Sequence, residues 1–230
     1  MIPIYDACGH GLGDLWATIN HYAHMTESTG VPTYMSRWVR PNGIGGDGEW
    51  RDDKGQMLEI IDCLNIPYGC APTIVDDKPT QPGGMSMWAK PYYPTKLRWG
   101  RSTPPYHFIS YQFDGISCAN DKNPTPAEVA MFDVWKQNKT LACFCLGKPR
   151  TLENCIRSLA MSDIFVGACS GLSHVAISVG LPVHLLEYKV KVYGWYQLDK
   201  VIIHQGMQAF ISSVEDQFPL CTDRNSESHR

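Results

Sequence analysis

Residues 160–188, AMSDIFVGACSGLSHVAISVGLPVHLLEY, constrain the fold more than any other stretch. Ile164, Phe165 and Val166 form a short apolar run ended by Gly167, the pattern of a strand buried on both faces. A loop of small residues follows, Ala168 to Gly171. Leu172, Val175, Ala176 and Val179 then recur at helical spacing. Gly180 stops that helix and Pro182 forbids its return, so 183–186 reads as the next buried strand. The unit is β-loop-α-β, with its loop at the carboxyl end of a strand, where open α/β sheets bind ligands. Ser170 suits the N-cap of the helix, whose first-turn N–H groups can hold a phosphate.

The same alternation runs along the chain. A short strand at 2–7 leads into Cys8-Gly9-His10-Gly11-Leu12-Gly13-Asp14, a tight glycine loop before a helix over 15–26. The glycines are spaced G-x-G-x-G and no acidic residue follows about twenty positions on, so the loop does not match the dinucleotide fingerprint. A strand is expected at 31–38, a glycine-rich loop at 41–53, a helix at 57–64 and a short strand at 74–75. Residues 78–105 mix proline and glycine with Trp88, Tyr92, Tyr93, Trp99, Lys90, Lys96, Arg98 and Arg101. This proline density excludes a long helix. The segment is either a connector or an acceptor-binding surface of stacking rings and cations. Regular structure resumes with strands at 106–112 and 140–146, and helices at 124–138 and 151–160. A last strand is expected at 201–203, with a final turn near Val214.

Strands alternating with helices imply an α/β fold of parallel sheets. The irregular segment suggests two Rossmann-like units facing a central cleft, one over 1–104 and the other over 105–230. A net charge of -3 gives no global attraction to nucleic acid or anionic membrane. No apolar run approaches the roughly 20 residues of a membrane span. The N-terminus lacks the charged and apolar regions of a secretory leader, so a cytoplasmic setting is expected. The nine cysteines include no C-x-x-C pair, so neither a zinc site nor a redox motif is supported. Cys143 and Cys145 alternate with Leu141, Phe144 and Leu146 in an apolar strand, so at least some of the cysteines are expected in the core.

Two stretches, GLGDLWAT near the N-terminus and GACSGLSHVAISVGLP in the second half, resemble the heptosyltransferase family of glycosyltransferases. Gly13, Asp14 and Thr18 match that family's G-D-x-x-x-T. Ser170, Gly171 and His174 match the latter part of its D-[ST]-G-x-x-H, with Cys169 in place of the aspartate. The resemblance covers roughly 4–25 and 106–187, and the chain is much shorter than typical members.

The resemblance implies the two-domain GT-B fold and sugar transfer from a nucleotide-diphosphate donor, inverting and without a metal or other cofactor. Asp14 is then the base for the acceptor hydroxyl, or simply a helix cap. The donor would lie on Gly13, Cys169, Ser170, Gly171 and Leu172, with Ser117 and Lys122 on its phosphates and Glu187 towards a ribose. His174 is either a donor contact or a partly buried packing residue. His10, Trp88, Tyr92 and Arg98 are the acceptor-side candidates. The acceptor would be a glycan or glycolipid. The basic-aromatic segment leaves a modified DNA base as an alternative, and Cys169 leaves a non-catalytic nucleotide-sugar or glycan-binding protein as another.

Overall fold

The structure, a computed structural model, describes residues 2–7, 11–40, 48–82, 95–101, 108–113, 123–137, 142–146, 150–168, 170–186 and 199–217. Ten strands and six helices fall within them. The first half contains β1 (Ile4–Tyr5), α1 (Leu12–Thr29), β2 (Tyr34–Ser36), β3 (Trp38–Val39), β4 (Arg51–Asp52), α2 (Lys54–Cys63) and β5 (Thr73–Val75). The second half begins with β6 (Phe108–Gln112), α3 (Pro126–Gln137), β7 (Ala142–Cys145) and α4 (Leu152–Ala160). It continues with β8 (Ile164–Gly167), α5 (Gly171–Ser178), β9 (Val183–Leu186), β10 (Val201–His204) and α6 (Met207–Gln217).

Strands β1, β2 and β5 form a parallel sheet in the order β1-β2-β5, and the second half forms a five-stranded parallel sheet in the order β10-β9-β8-β6-β7. This is the α/β architecture that the strand-helix alternation predicts. The central strands β8 and β9 are buried at every position, as their unbroken apolar runs require. Phe165 of β8 faces one hydrophobic cluster, while Ile164 and Val166 face another built on α3 and α6. The larger cluster draws on α1 (Leu15, Trp16, Ile19), α2 (Met57, Ile60), α4 (Ile156, Leu159) and α5 (Leu172, Val175). It therefore crosses the boundary expected at residue 104.

Several elements differ from expectation, each for a local reason. Helix α1 starts at Leu12, three residues early, because Gly11 is extended and the Asp14 carboxylate accepts its N–H at 3.2 Å. The helix ends at Gly30, whose φ of 70° is left-handed and whose N–H reaches Thr26 O at 2.8 Å. The glycine-rich stretch over 41–53 is not all loop: Arg51 and Asp52 pair antiparallel with β3. Strand β7 is an edge strand, so Cys145 is exposed, while Cys143 is half-buried and packs against the smaller hydrophobic cluster; Cys63 and Cys155 are buried in the core. Burial still pushes the Cys143 thiol up to about 11 and the Cys63 thiol up to about 12. Among the described residues Cys63, Cys70 and Cys145 are free thiols. The last turn is an eleven-residue helix, α6, buried through Phe210 and Val214. Thr151 caps α4 as predicted, accepting the Asn154 N–H at 3.2 Å. Among the described residues no helix is long and apolar enough to cross a membrane.

Beneath α6 lies a histidine pair. His184 of β9 and His204 of β10 stack with ring planes 4° apart, and His184 Nδ1 meets His204 Nε2 at 2.8 Å. Phe210 packs edge-on against both rings. Burial, and secondarily the neighbouring imidazole, pushes His184 down to about 4; burial lowers His204 as well. A histidine in the unfolded chain titrates near 6.5, so below that pH the unfolded state takes up protons that the folded state excludes. Stability is therefore full above about pH 6.5 and falls as pH drops towards 4. Urea denaturation should show a loss of about 2 kcal/mol between pH 7 and pH 5 from this pair. His184→Gln should flatten that part of the profile, whatever its absolute stability.

Candidate functional site

The two sequence motifs meet in space. Helices α1 and α5 lie side by side and run in the same sense. Gly13 faces His174 and Gly171 faces Leu12 at one end, while Trp16 Nε1 donates to Ser178 Oγ at 2.6 Å further along. The contact is close enough to demand glycine on both sides. A Cβ on Gly13 would stand 2.5 Å from His174 Cδ2, and one on Gly171 would stand 2.7 Å from Leu12 Cβ and 3.0 Å from the Gly13 nitrogen. Both glycines belong to the matched motifs, and the structure gives them this packing role.

Each helix follows the carboxyl end of a parallel strand, α1 after β1 and α5 after β8. Their positive dipole ends therefore point the same way at one place. Parallel dipoles side by side repel, and an anion at their common end offsets that repulsion.

The motif side chains fix this end. Thr18 donates to Ala7 O at 2.9 Å inside the core, which ties α1 to the end of β1. Asp14 is half-buried in the first turn, with Oδ2 accepting from Gly11 N–H. Ser170 occupies the N-cap position of α5 with extended backbone. Its hydroxyl donates to Gln112 Oε1 at 2.7 Å, joining α5 to the end of β6. Ser173 Oγ accepts the Ser170 N–H at 2.9 Å and donates to Ser170 O at 2.6 Å. Leu172 is buried, and so is His174, whose ring lies against the α1 backbone at Gly13.

Of the sequence-predicted residues, Gly13, Asp14, Ser170, Gly171, Leu172 and His174 are thus brought together. Arg98 instead pairs with Asp62 at 2.6 Å, on the 95–101 segment beside the end of α2. His10, Trp88, Tyr92, Ser117, Lys122, Cys169 and Glu187 lie outside the described residues.

Three residues at this end escaped sequence reasoning. Gln112 is a buried amide at a strand end, where a polar residue closing an apolar run was the available signal. Ser173, a polar residue in the first turn of a largely apolar helix, closes the cap. Asp6 is fully buried one residue after β1, just before the glycine loop. A carboxylate interrupting the strand sequence IPIYDA was its signal, since carboxylates are rarely buried without a task. Among the described residues no group of three or more His, Cys, Asp or Glu side chains could hold a metal ion.

The architecture is that of a Rossmann-like α/β protein, with helix N-termini gathered at the carboxyl ends of parallel strands. Among solved structures it resembles the iron-containing dodecameric glycosyltransferase TibC from enterotoxigenic E. coli, with a TM-score of 0.54 and 14% sequence identity. The match covers 85% of this chain and 65% of that protein, so the chain spans about two thirds of its neighbour's length. No protein-family model and no curated protein matches the sequence.

The glycine contact generates a direct test. Gly171→Ala forces α1 and α5 apart against backbone and should cost about 1–3 kcal/mol, visible as a lower melting temperature. Gly55→Ala, at a position in α2 with no neighbour within 4 Å of the added methyl, should instead stabilise by about 0.5–1 kcal/mol. Comparable melting temperatures for the two variants would contradict the packing role.

Proposed function

We propose that the protein is a glycosyltransferase that moves a sugar from a nucleotide-diphosphate donor to an acceptor hydroxyl, inverting and without a metal. The observation that carries this reading is the convergence of the α1 and α5 N-termini at Gly13 and Gly171, which unites two motifs 158 residues apart. The fold likeness to a glycosyltransferase supports it. In this reading the chain has an acceptor side over 1–104 and a donor side over 105–230, as in the GT-B arrangement.

The donor diphosphate lies on the first-turn amides of α5, where the dipole favours an anion and a developing charge on the leaving group. Lys122 and the Ser117 hydroxyl add to that stabilisation, and Cys169 and Glu187 complete the donor pocket. The Ser170–Gln112 bond holds the loop in place before the ligand arrives, so that little ordering remains to be done on binding. Asp14, one helix over, takes the proton of the acceptor hydroxyl. His10, Trp88 and Tyr92 belong to the acceptor side; Arg98, engaged by Asp62, contributes less directly.

Thermal shift against a panel of nucleoside diphosphates tests the donor half. The matching nucleotide at 100 times its dissociation constant should stabilise the protein by about 2.7 kcal/mol. No stabilisation by any of them would overturn the reading. Asp14→Asn tests the chemical half. Asparagine keeps an acceptor for Gly11 N–H, so the fold and donor affinity should persist while turnover drops by about 10²–10⁴. Turnover within about threefold of the parent would assign Asp14 to capping alone.

A further inference from the structure

A second cluster lies at the carboxyl edge of the three-stranded sheet. Arg37 to Arg40 follow β2, and Asp76 to Lys78 follow β5 in a strap that crosses this edge to pair Gln81 with Tyr5. The strap is fixed by Ser36 Oγ donating to Asp77 O at 2.7 Å and Trp38 Nε1 donating to Asp76 O at 2.8 Å.

Most charges here are spoken for. Arg37 binds both Asp52 and Asp76, holding both carboxyls below the usual carboxylate range. Arg51 pairs with Asp53, and Lys54 approaches Asp76 at 3.6 Å. Arg40 and Lys78 differ. The Arg40 guanidinium carbon lies 4.8 Å, and the Lys78 ammonium 5.3 Å, from the centroid of the Trp50 ring. Neither has a carboxylate within ion-pair distance among the described residues. Arg40 Nε is buried with no acceptor among them.

A ring that carries two cations holds them in position and leaves their N–H donors for an outside partner. A buried guanidinium donor without an acceptor is costly unless a partner arrives. We propose that Arg40 and Lys78, held over Trp50, form a site for a phosphate monoester carried by the acceptor. Two uncommitted cations match the charge of one such group, and a guanidinium can grip two of its oxygens. A polyanion such as DNA fits poorly, because Asp52, Asp53 and Asp76, with Glu49 and Asp77 beside them in sequence, outnumber the other cations Arg37, Arg51 and Lys54.

This assignment rests on the glycosyltransferase reading only for calling the ligand an acceptor; the phosphate site itself is independent of it. Titration calorimetry with glucose 6-phosphate as probe, glucose as its uncharged counterpart and a short DNA duplex as the polyanion tests it. The titration is run with and without the nucleoside diphosphate selected by thermal shift. The parent should bind glucose 6-phosphate more tightly than glucose, equally well with nucleotide present. Arg40→Gln with Lys78→Gln should weaken that binding by about tenfold or more. Trp50→Leu should weaken it too, with both cations intact. Melting curves matching the parent's confirm that these variants fold. Absence of binding by the parent, equal affinity in the double variant, displacement by nucleotide, or tighter binding of DNA would each overturn the proposal. If no nucleotide binds while the probe binds and the double variant loses it, the phosphate site stands and the donor reading falls.

Discussion

The close approach of α1 and α5 is the contact on which the rest of the structure depends. Helices normally pack with 8–10 Å between axes, set by the side chains at the contact. Here glycine on each side removes those side chains, and the first turn of one helix meets the first turn of the other. The consequences reach the core and the site together. Leu15, Trp16 and Ile19 join Leu172 and Val175 in one cluster, and the buried Trp16–Ser178 hydrogen bond keeps the helices in register. The same contact brings two positive helix ends together at the carboxyl edges of the two sheets.

A second set of contacts reinforces that join. The 95–101 segment runs along both halves: Thr95 N–H donates to Ser178 O, Leu97 bridges to Leu64, and Arg101 donates to Ser162 O. Arg157 of α4 stacks over Trp99 with its guanidinium carbon 4.0 Å from the ring centroid. This end of a stretch read from composition as connector or binding surface is, in the described residues, an anchored strap. Its apolar and backbone contacts outweigh the exposed Arg98–Asp62 pair, since surface ion pairs contribute at most about 1 kcal/mol.

Polar groups at the strand ends do the positioning. Ser170 and Gln112, Ser173 and the Ser170 amide, and Thr18 and Ala7 each satisfy a buried donor or acceptor. A buried polar network that is satisfied fixes one geometry, whereas apolar packing alone tolerates several. The start of α5 is therefore tied to the end of β6 in one geometry.

The sequence by itself determined the α/β class, the fully buried strands β8 and β9, the Thr151 cap and the pairing of two glycine motifs with helix starts. These follow from period, end signals and apolar runs, which are local properties. It could not determine which strands lie at an edge, and so could not tell the exposed Cys145 from the half-buried Cys143. Nor could it show that Gly13 answers to His174, that Ser170 answers to Gln112, or that Arg40 and Lys78 share one tryptophan. Each of those facts joins residues 10 to 161 positions apart, and only packing brings such residues within reach. Asp6 shows the same limit: its identity is plain in the chain, but its complete burial at the strand end is decided by what the tertiary structure stacks around it.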